Sequence, residues 1–418
     1  MRADTPETSP ANGSTNASGS RSASTPIRAL ILSSSFTAVA YGVMSPTLMT
    51  RCMERGASGT MLGLISCIWA LPTCLGVGVY PHILRVFGVR RCLSVGAVVS
   101  AGTMLLFPLM PNDRVWLFLL LLTGSVYGLF SVATTTWISV GSHEGSLARA
   151  GAVYGVITAT SYAGSGALFA LTGNSGSRPF VIAASAMAAS VLPLVYLPST
   201  VGLPVHQSVV RVHAIAKAIP RFLAIGLFAG ALETIVWGLL QVFARLDGWG
   251  KAETGFVLPT LYWGQVILGY PIGWLADHYN RSLVFSLVNL MTIMCMCALG
   301  FWGAHAVFWF VVFVCGGVVN ASYTLGLAIL SESCPQHQRL AANSAFLSSY
   351  ALGTVAVPPA VGSLMFSYGL LMLPATMSCV SAAIIACLFI GRRRWDRTPP
   401  QHRGDATTRG THEAPPPD

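Results

Sequence analysis

Apolar runs recur twelve times between Ala29 and Ile390, each followed by a short polar connection. Their limits fall at 29–50, 58–80, 92–111, 115–139, 149–173, 178–198, 221–244, 254–276, 282–303, 306–331, 339–366 and 368–390. A helix of roughly 20 residues, rising ~1.5 Å per residue, crosses a ~30 Å hydrocarbon layer. Each run is continuous rather than alternating, which predicts helices and excludes barrel strands. The pattern therefore predicts an all-α membrane protein with twelve transmembrane helices.

Composition agrees with lipid as the main solvent: hydrophobic residues make up 53% of the 418, charged residues only 9%, and mean hydropathy is +0.64. A net charge of +10 would suggest nucleic acid until the basic residues are placed. Of the 24 Lys and Arg, 18 fall in the two tails and the turns after helices 2, 4, 6, 8 and 10. That positive-inside asymmetry predicts cytoplasmic termini in the inner cell membrane, and removes the case for a nucleic-acid partner. Arg392, Arg393 and Arg394 read as a stop anchor at the lipid headgroups. The ten cysteines show no CxxC spacing and imply no disulfide framework.

Five regions follow. Residues 1–26 read as a disordered cytoplasmic tail rich in Ser, Thr, Ala and Gly, with no signal-peptide core. Residues 27–198 and 221–391 form two six-helix bundles joined by a cytoplasmic linker at 199–220, and 392–418 form a second tail. Internal similarity supports the division. A shift of 190 residues places Pro81 on Pro271, Arg91 on Arg281, Thr134 on Thr324 and Arg149 on Arg339. A shift of 188 places Ser161-Tyr162-Ala163 on Ser349-Tyr350-Ala351. Parallel six-helix repeats point to a transporter with its site where the repeats meet.

The turn between helices eight and nine, GYPIGWLADHYNRS, concentrates polar residues in a chain that otherwise avoids them. Gly273 is the residue type that lets two helices approach, and Asp277 can accept hydrogen bonds from a helix N-terminus and pair with a cation such as Arg281. Gly273, Leu275, Ala276, Asp277 and Arg281 resemble the signature turn of the major facilitator superfamily. The stretches YPIGWLADHYNRS, SYTLGLAILSE, AANSAFLSSYALGTVAVPPAVGSLM, TTTWISVGSHEG and ARAGAVYG together resemble its YcaD-like branch, over about residues 28–390. Two departures stand out. Phe87 occupies the first-half place of Asp277, and Thr134, Thr135 and Thr136 precede Trp137 where the branch often has an acidic residue.

The resemblance implies a cavity lined by helices 1, 4, 7 and 10. Their polar content names the candidate substrate or coupling residues: Tyr41 with Ser33, Ser34 and Ser35; Thr135 and Trp137 with Ser131; Glu233, Trp237 and Gln241; Asn320 and Tyr323 with Thr324. Most Ser and Thr in such helices bond to their own backbone. Glu233 stands apart as the carboxylate in the middle of an apolar run, at a cost of about 2.5–3.5 kcal/mol for an acidic group at mid-membrane, so a functional role is its default reading. At helical spacing Trp237 and Gln241 would share its face.

The expected function is secondary active transport of a small, organic solute by alternating access, coupled to protons, by a monomer without cofactors. No nucleotide loop, metal constellation or nucleophile arrangement supports an enzyme. A transporter-fold sensor or assembly factor is the alternative from another class. A copper transporter is a minor one, resting on Met291, Met294 and Cys295, which would share one helical face.

Overall fold

The computed structural model describes residues 16–76, 79–141, 147–172, 176–197, 219–301, 305–334 and 338–390. In chain order the first half contains α1 (Asn16–Glu54), α2 (Gly59–Cys67), α3 (Ala70–Gly76), α4 (Tyr80–Phe87), α5 (Val89–Leu106), α6 (Asp113–Gly141), α7 (Leu147–Thr172), α8 (Arg178–Ala189) and α9 (Val191–Leu194). The second half contains α10 (Pro220–Thr234), a π-helical turn (Ile235–Leu239), α11 (Leu240–Leu246), α12 (Lys251–Gly255), α13 (Val257–His278), α14 (Arg281–Phe301), α15 (His305–Ser333), α16 (Arg339–Ala356), α17 (Pro358–Tyr368) and α18 (Met372–Ile390). Among the described residues there is no strand.

Every one of the twelve apolar runs is occupied by helix. Among the described residues eight helical stretches are long and apolar enough to cross a membrane, and α2 with α3 make a ninth if the pair is taken as one span across its 43° bend. Pro72 explains the bend: without an N–H it cannot return a bond to the carbonyl one turn earlier, so the helix breaks just before it. The first helix begins at Asn16 rather than near residue 27, so part of the segment expected to be a disordered tail is helical. Residues 1–15, most of the 199–220 linker and the tail from 391 lie outside the described residues.

Within the first half, α1 packs on α6, α7 and α8, and α5 on α6 and α8. Within the second, α10 packs on α15, α16 and α18, α13 on α15, and α14 on α15 and α18. The halves meet chiefly through α2 against α17 and α7 against α13. Polar side chains tie helices together inside a half. Ser33 donates to the Ser190 carbonyl at 2.6 Å, and Ser34 shares a hydrogen bond with Thr134 at 2.9 Å.

Outward faces are apolar, as lipid contact requires. On α14, Leu283, Leu287, Leu290, Met291 and Met294 form one exposed stripe, while Cys295 turns inward to Cys315 on α15. Met291 and Met294 are therefore separated from Cys295 rather than gathered with it, and the helical face proposed for copper is not assembled.

Candidate functional site

A cavity of about 460 Å³ lies where the halves meet. Its first-half wall comes from α1 (Tyr41, Ser45), α2 and α3 with the break between them (Ser66, Trp69, Thr73), α6 (Thr123, Tyr127, Ser131) and α7 (Tyr154, Thr158, Tyr162). Its second-half wall comes from α10 and the π turn (Glu233, Thr234, Trp237), α13 (Tyr262, Gln265) and α16 (Tyr350, Thr354). A larger concavity of about 580 Å³, lined by Ala57, Ser58, Met61, Pro111, Asn112 and Arg114, is a shallow groove formed by two loops and the first turns of α2 and α6.

One end of the cavity is shut by close backbone contact. A Cβ on Gly59 would collide with the Gly362 carbonyl, one on Gly63 with the Pro358 carbonyl, and one on Gly166 with the Pro259 ring. These contacts sit at the start of α2, in α17, late in α7 and early in α13, all remote from the 277–281 turn. Tyr162 and Tyr262 reinforce them by stacking across the halves, and Trp237 stacks on Tyr262 at 4.3 Å. Toward the 277–281 turn the picture reverses. Gly155, Thr135 and Ser348 are exposed, and a Cβ on Gly273 would meet nothing within 4 Å.

Glu233 faces the cavity from α10. The Tyr350 hydroxyl donates to its Oε2 at 2.6 Å, and Trp237 stands within interaction range of the same carboxylate. Among the described residues no Lys, Arg or His pairs with it. The surrounding rings are braced against one another: Tyr41 and Trp69 both meet Tyr127 edge to face, at 5.3 and 5.1 Å, and Tyr323 packs on Tyr350 at 4.8 Å.

The candidates read from the sequence divide clearly. Glu233, Trp237 and Tyr41 line the cavity. Gln241 does not: it is buried, and its Nε2 donates to the Trp237 carbonyl on its own helix. The π turn between Glu233 and Gln241 is the reason, because its wider winding rotates everything beyond it off the cavity face. Thr135 is exposed and donates to the Ser131 carbonyl, as Thr324 does to Ala321. Trp137 is half-buried against the core with its indole nitrogen unpartnered among the described residues, and Asn320 is half-buried on α15 away from the lining. Tyr323 lies behind Tyr350.

Reasoning from the sequence missed Trp69, Tyr127, Tyr154, Tyr162, Tyr262 and Tyr350. A signal for two of them was present, since Tyr162 and Tyr350 are the repeat-related pair, one from each half. The helices counted second, fifth, eighth and eleventh contribute to the lining beside the first, fourth and seventh.

At the 277–281 turn, Arg281 donates to Asp277 at 3.0 Å, four residues back, and also to Glu332 at the end of α15. All three belong to the second half, and Asp277 is largely exposed. Gly273 is not at a helix crossing here, contrary to the close approach its residue type suggests, because α13 stands away from its neighbours at this end.

The comparisons with known proteins are consistent. A family model described as Major Facilitator Superfamily matches residues 222–416. The uncharacterized MFS-type transporter YfkF of Bacillus subtilis is 23% identical over 353 residues, covering 81% of this chain and 88% of the relative. The uncharacterized MFS-type transporter YcaD of Salmonella newport is 27% identical over 142 residues, covering 34% of this chain and 36% of the relative. Among solved structures, the nucleoside transporter NupG superposes with a TM-score of 0.72 at 12% identity, covering 87% of this chain and 99% of that one. A D-xylose-proton symporter superposes with a TM-score of 0.68 at 13% identity, covering 86% and 96%.

Proposed function

We propose that the chain is a major facilitator superfamily member and a secondary active transporter of a small solute, that the cavity between its halves is the solute site, and that Glu233 couples solute movement to protons. The observation that carries the reading is the placement of Glu233: a carboxylate on the wall of a membrane cavity, with a phenol partner and, among the described residues, no cation beside it. An ionisable group in that position is costly unless it binds and releases something as the surroundings change. A proton is the smallest such ligand.

In this reading the two bundles at 27–198 and 221–391 rock about the cavity. The structure's tight end, at Gly59, Gly63 and Gly166, faces away from the cytoplasm, and its open end faces the cytoplasm together with both termini. That orientation rests on the charge asymmetry of the sequence. We read the protein as a monomer in the inner membrane.

Reconstitution tests the coupling. In proteoliposomes Glu233→Gln, which keeps the size and mimics the protonated form, is expected to retain solute exchange at saturating solute and lose accumulation driven by a pH gradient. Accumulation at the wild-type level in that variant would remove Glu233 from coupling.

A further inference from the structure

We propose that the solute is an organic cation with an apolar body, held by the aromatic walls of the cavity and the Glu233 carboxylate. This rests on reading the cavity as the transport site, and adds the chemical class of what enters it.

The sign of charge comes first. Among the described residues Glu233 is the sole charged one on the lining, and none of the lining residues is Lys, Arg or His. An anionic solute would meet a like charge and no compensating donor cation. Conversely, a cation would supply the partner that the carboxylate lacks among the described residues.

Next is the character of the walls. Tyr41, Trp69, Tyr127, Tyr162 and Trp237 present rings to a space that also holds Glu233, while Tyr262 is covered on both faces by Tyr162 and Trp237. Ring faces attract cations, most strongly where water is excluded. The two guanidinium-over-ring contacts among the described residues, Arg55 on Trp116 and Arg221 on Phe222, lie elsewhere. The cavity rings are therefore not occupied by a cation of the protein itself. Mutual edge and face contacts fix them in place before any ligand arrives, which lowers the ordering cost of binding.

Other classes fit less well. A polyhydroxylated solute needs many free donors and acceptors, but several of the lining hydroxyls are spent on backbone carbonyls: Ser66 on Gly63, Thr73 on Gly124, Thr123 on Leu119, Thr234 on Gly230 and Thr354 on Tyr350, while Thr158 is left unpartnered among the described residues. A hard inorganic cation takes about six or more oxygen ligands, and one carboxylate among rings does not provide them. What remains is a cation whose charge is carried on carbon-bound nitrogen or a similar soft centre.

The test is calorimetric titration of the full chain in detergent with three matched probes: phenyltrimethylammonium, its neutral isostere tert-butylbenzene, and the anion benzenesulfonate. The wild-type protein is expected to bind the cation at least about tenfold more tightly than the neutral probe, and not to bind the sulfonate. Glu233→Gln is expected to narrow the cation preference to within about threefold, since the rings alone then discriminate. Equal or tighter binding of the neutral or anionic probe, an undiminished preference in Glu233→Gln, or no binding of any probe at millimolar concentration overturns the proposal. The wild-type comparison stands even if the variant does not fold. Labelling of Cys74, which lines the cavity, by an impermeant maleimide from either face of the membrane reports alternating access separately. If the cation preference fails while Cys74 still becomes reachable from both faces, the substrate class is wrong and the transport reading survives. If Cys74 is reachable from one face only under all conditions, the transport reading fails and the cation proposal falls with it.

Discussion

Tyr162 and Tyr262 stack ring on ring, with centroids 4.5 Å apart and planes 7° from parallel, and so join α7 of one half to α13 of the other. Trp237 extends the stack on the far side of Tyr262. Three rings from three helices thus lie between the cavity and the end closed by glycine contacts.

Tyr262→Ala removes the ring contact between the halves together with the Trp237 contact inside the second half. At about 0.5–1.5 kcal/mol, loss of the contact between the halves shifts the balance toward opening at that end by roughly twofold to twelvefold. Labelling of Cys74 from the non-cytoplasmic face, in a background with the other cysteines replaced, is the measurement, and an increase of at least about twofold is expected. An unchanged rate would mean that the glycine crossings alone hold the closure.

Gly273→Leu should trap the protein in the arrangement described here. Its Cβ has open space in this structure, so the variant is expected to fold and bind solute normally. Closure at this end would bring α13 toward its neighbours and make the added side chain clash. Solute counterflow is expected to drop by at least about tenfold, the effect of a 1.4 kcal/mol penalty on closure. Normal counterflow would place the closing contact elsewhere on α13.

Asp277→Asn separates a switching role from a structural one. An exposed pair four residues apart on neighbouring helix ends contributes only about 0.3–0.5 kcal/mol, so thermal stability should be nearly unchanged. Transport should slow, with equilibrium solute affinity within several-fold of wild type, because the turn lies far from the cavity. Wild-type transport rates in the variant would show that Asp277 is an ordinary solvated charge. Arg281→Ala, which also frees Glu332, is expected to slow transport at least as much.

Reporter fusions at the two ends of the chain test orientation. Both are expected to give cytoplasmic signals, on the strength of 18 basic residues against six. A periplasmic signal at either end would reverse the assignment of the open and closed faces.

The spans, their helical form, the repeat and the polar turn at 277–281 were legible in the sequence because each is a local property. Transfer of roughly 20 apolar residues from water to lipid sums along the run and needs no knowledge of neighbours. Glu233 was legible for the same reason, as one costly residue in an apolar stretch. Facing was different. A water-soluble helix shows its buried side by a polar stripe opposite, but a helix in lipid is apolar on every side, so periodicity does not say which face meets protein. Only the tertiary structure showed that Met291 and Met294 face outward, and that Trp69, Tyr162, Tyr262 and Tyr350 converge on Glu233. The π turn acted more sharply still: by winding one stretch of α10–α11 wider, it kept Trp237 on the cavity wall and turned Gln241 into the core, at a point where Gly238 lies so close to Ser66 that a Cβ would collide, a contact that residue spacing does not reveal.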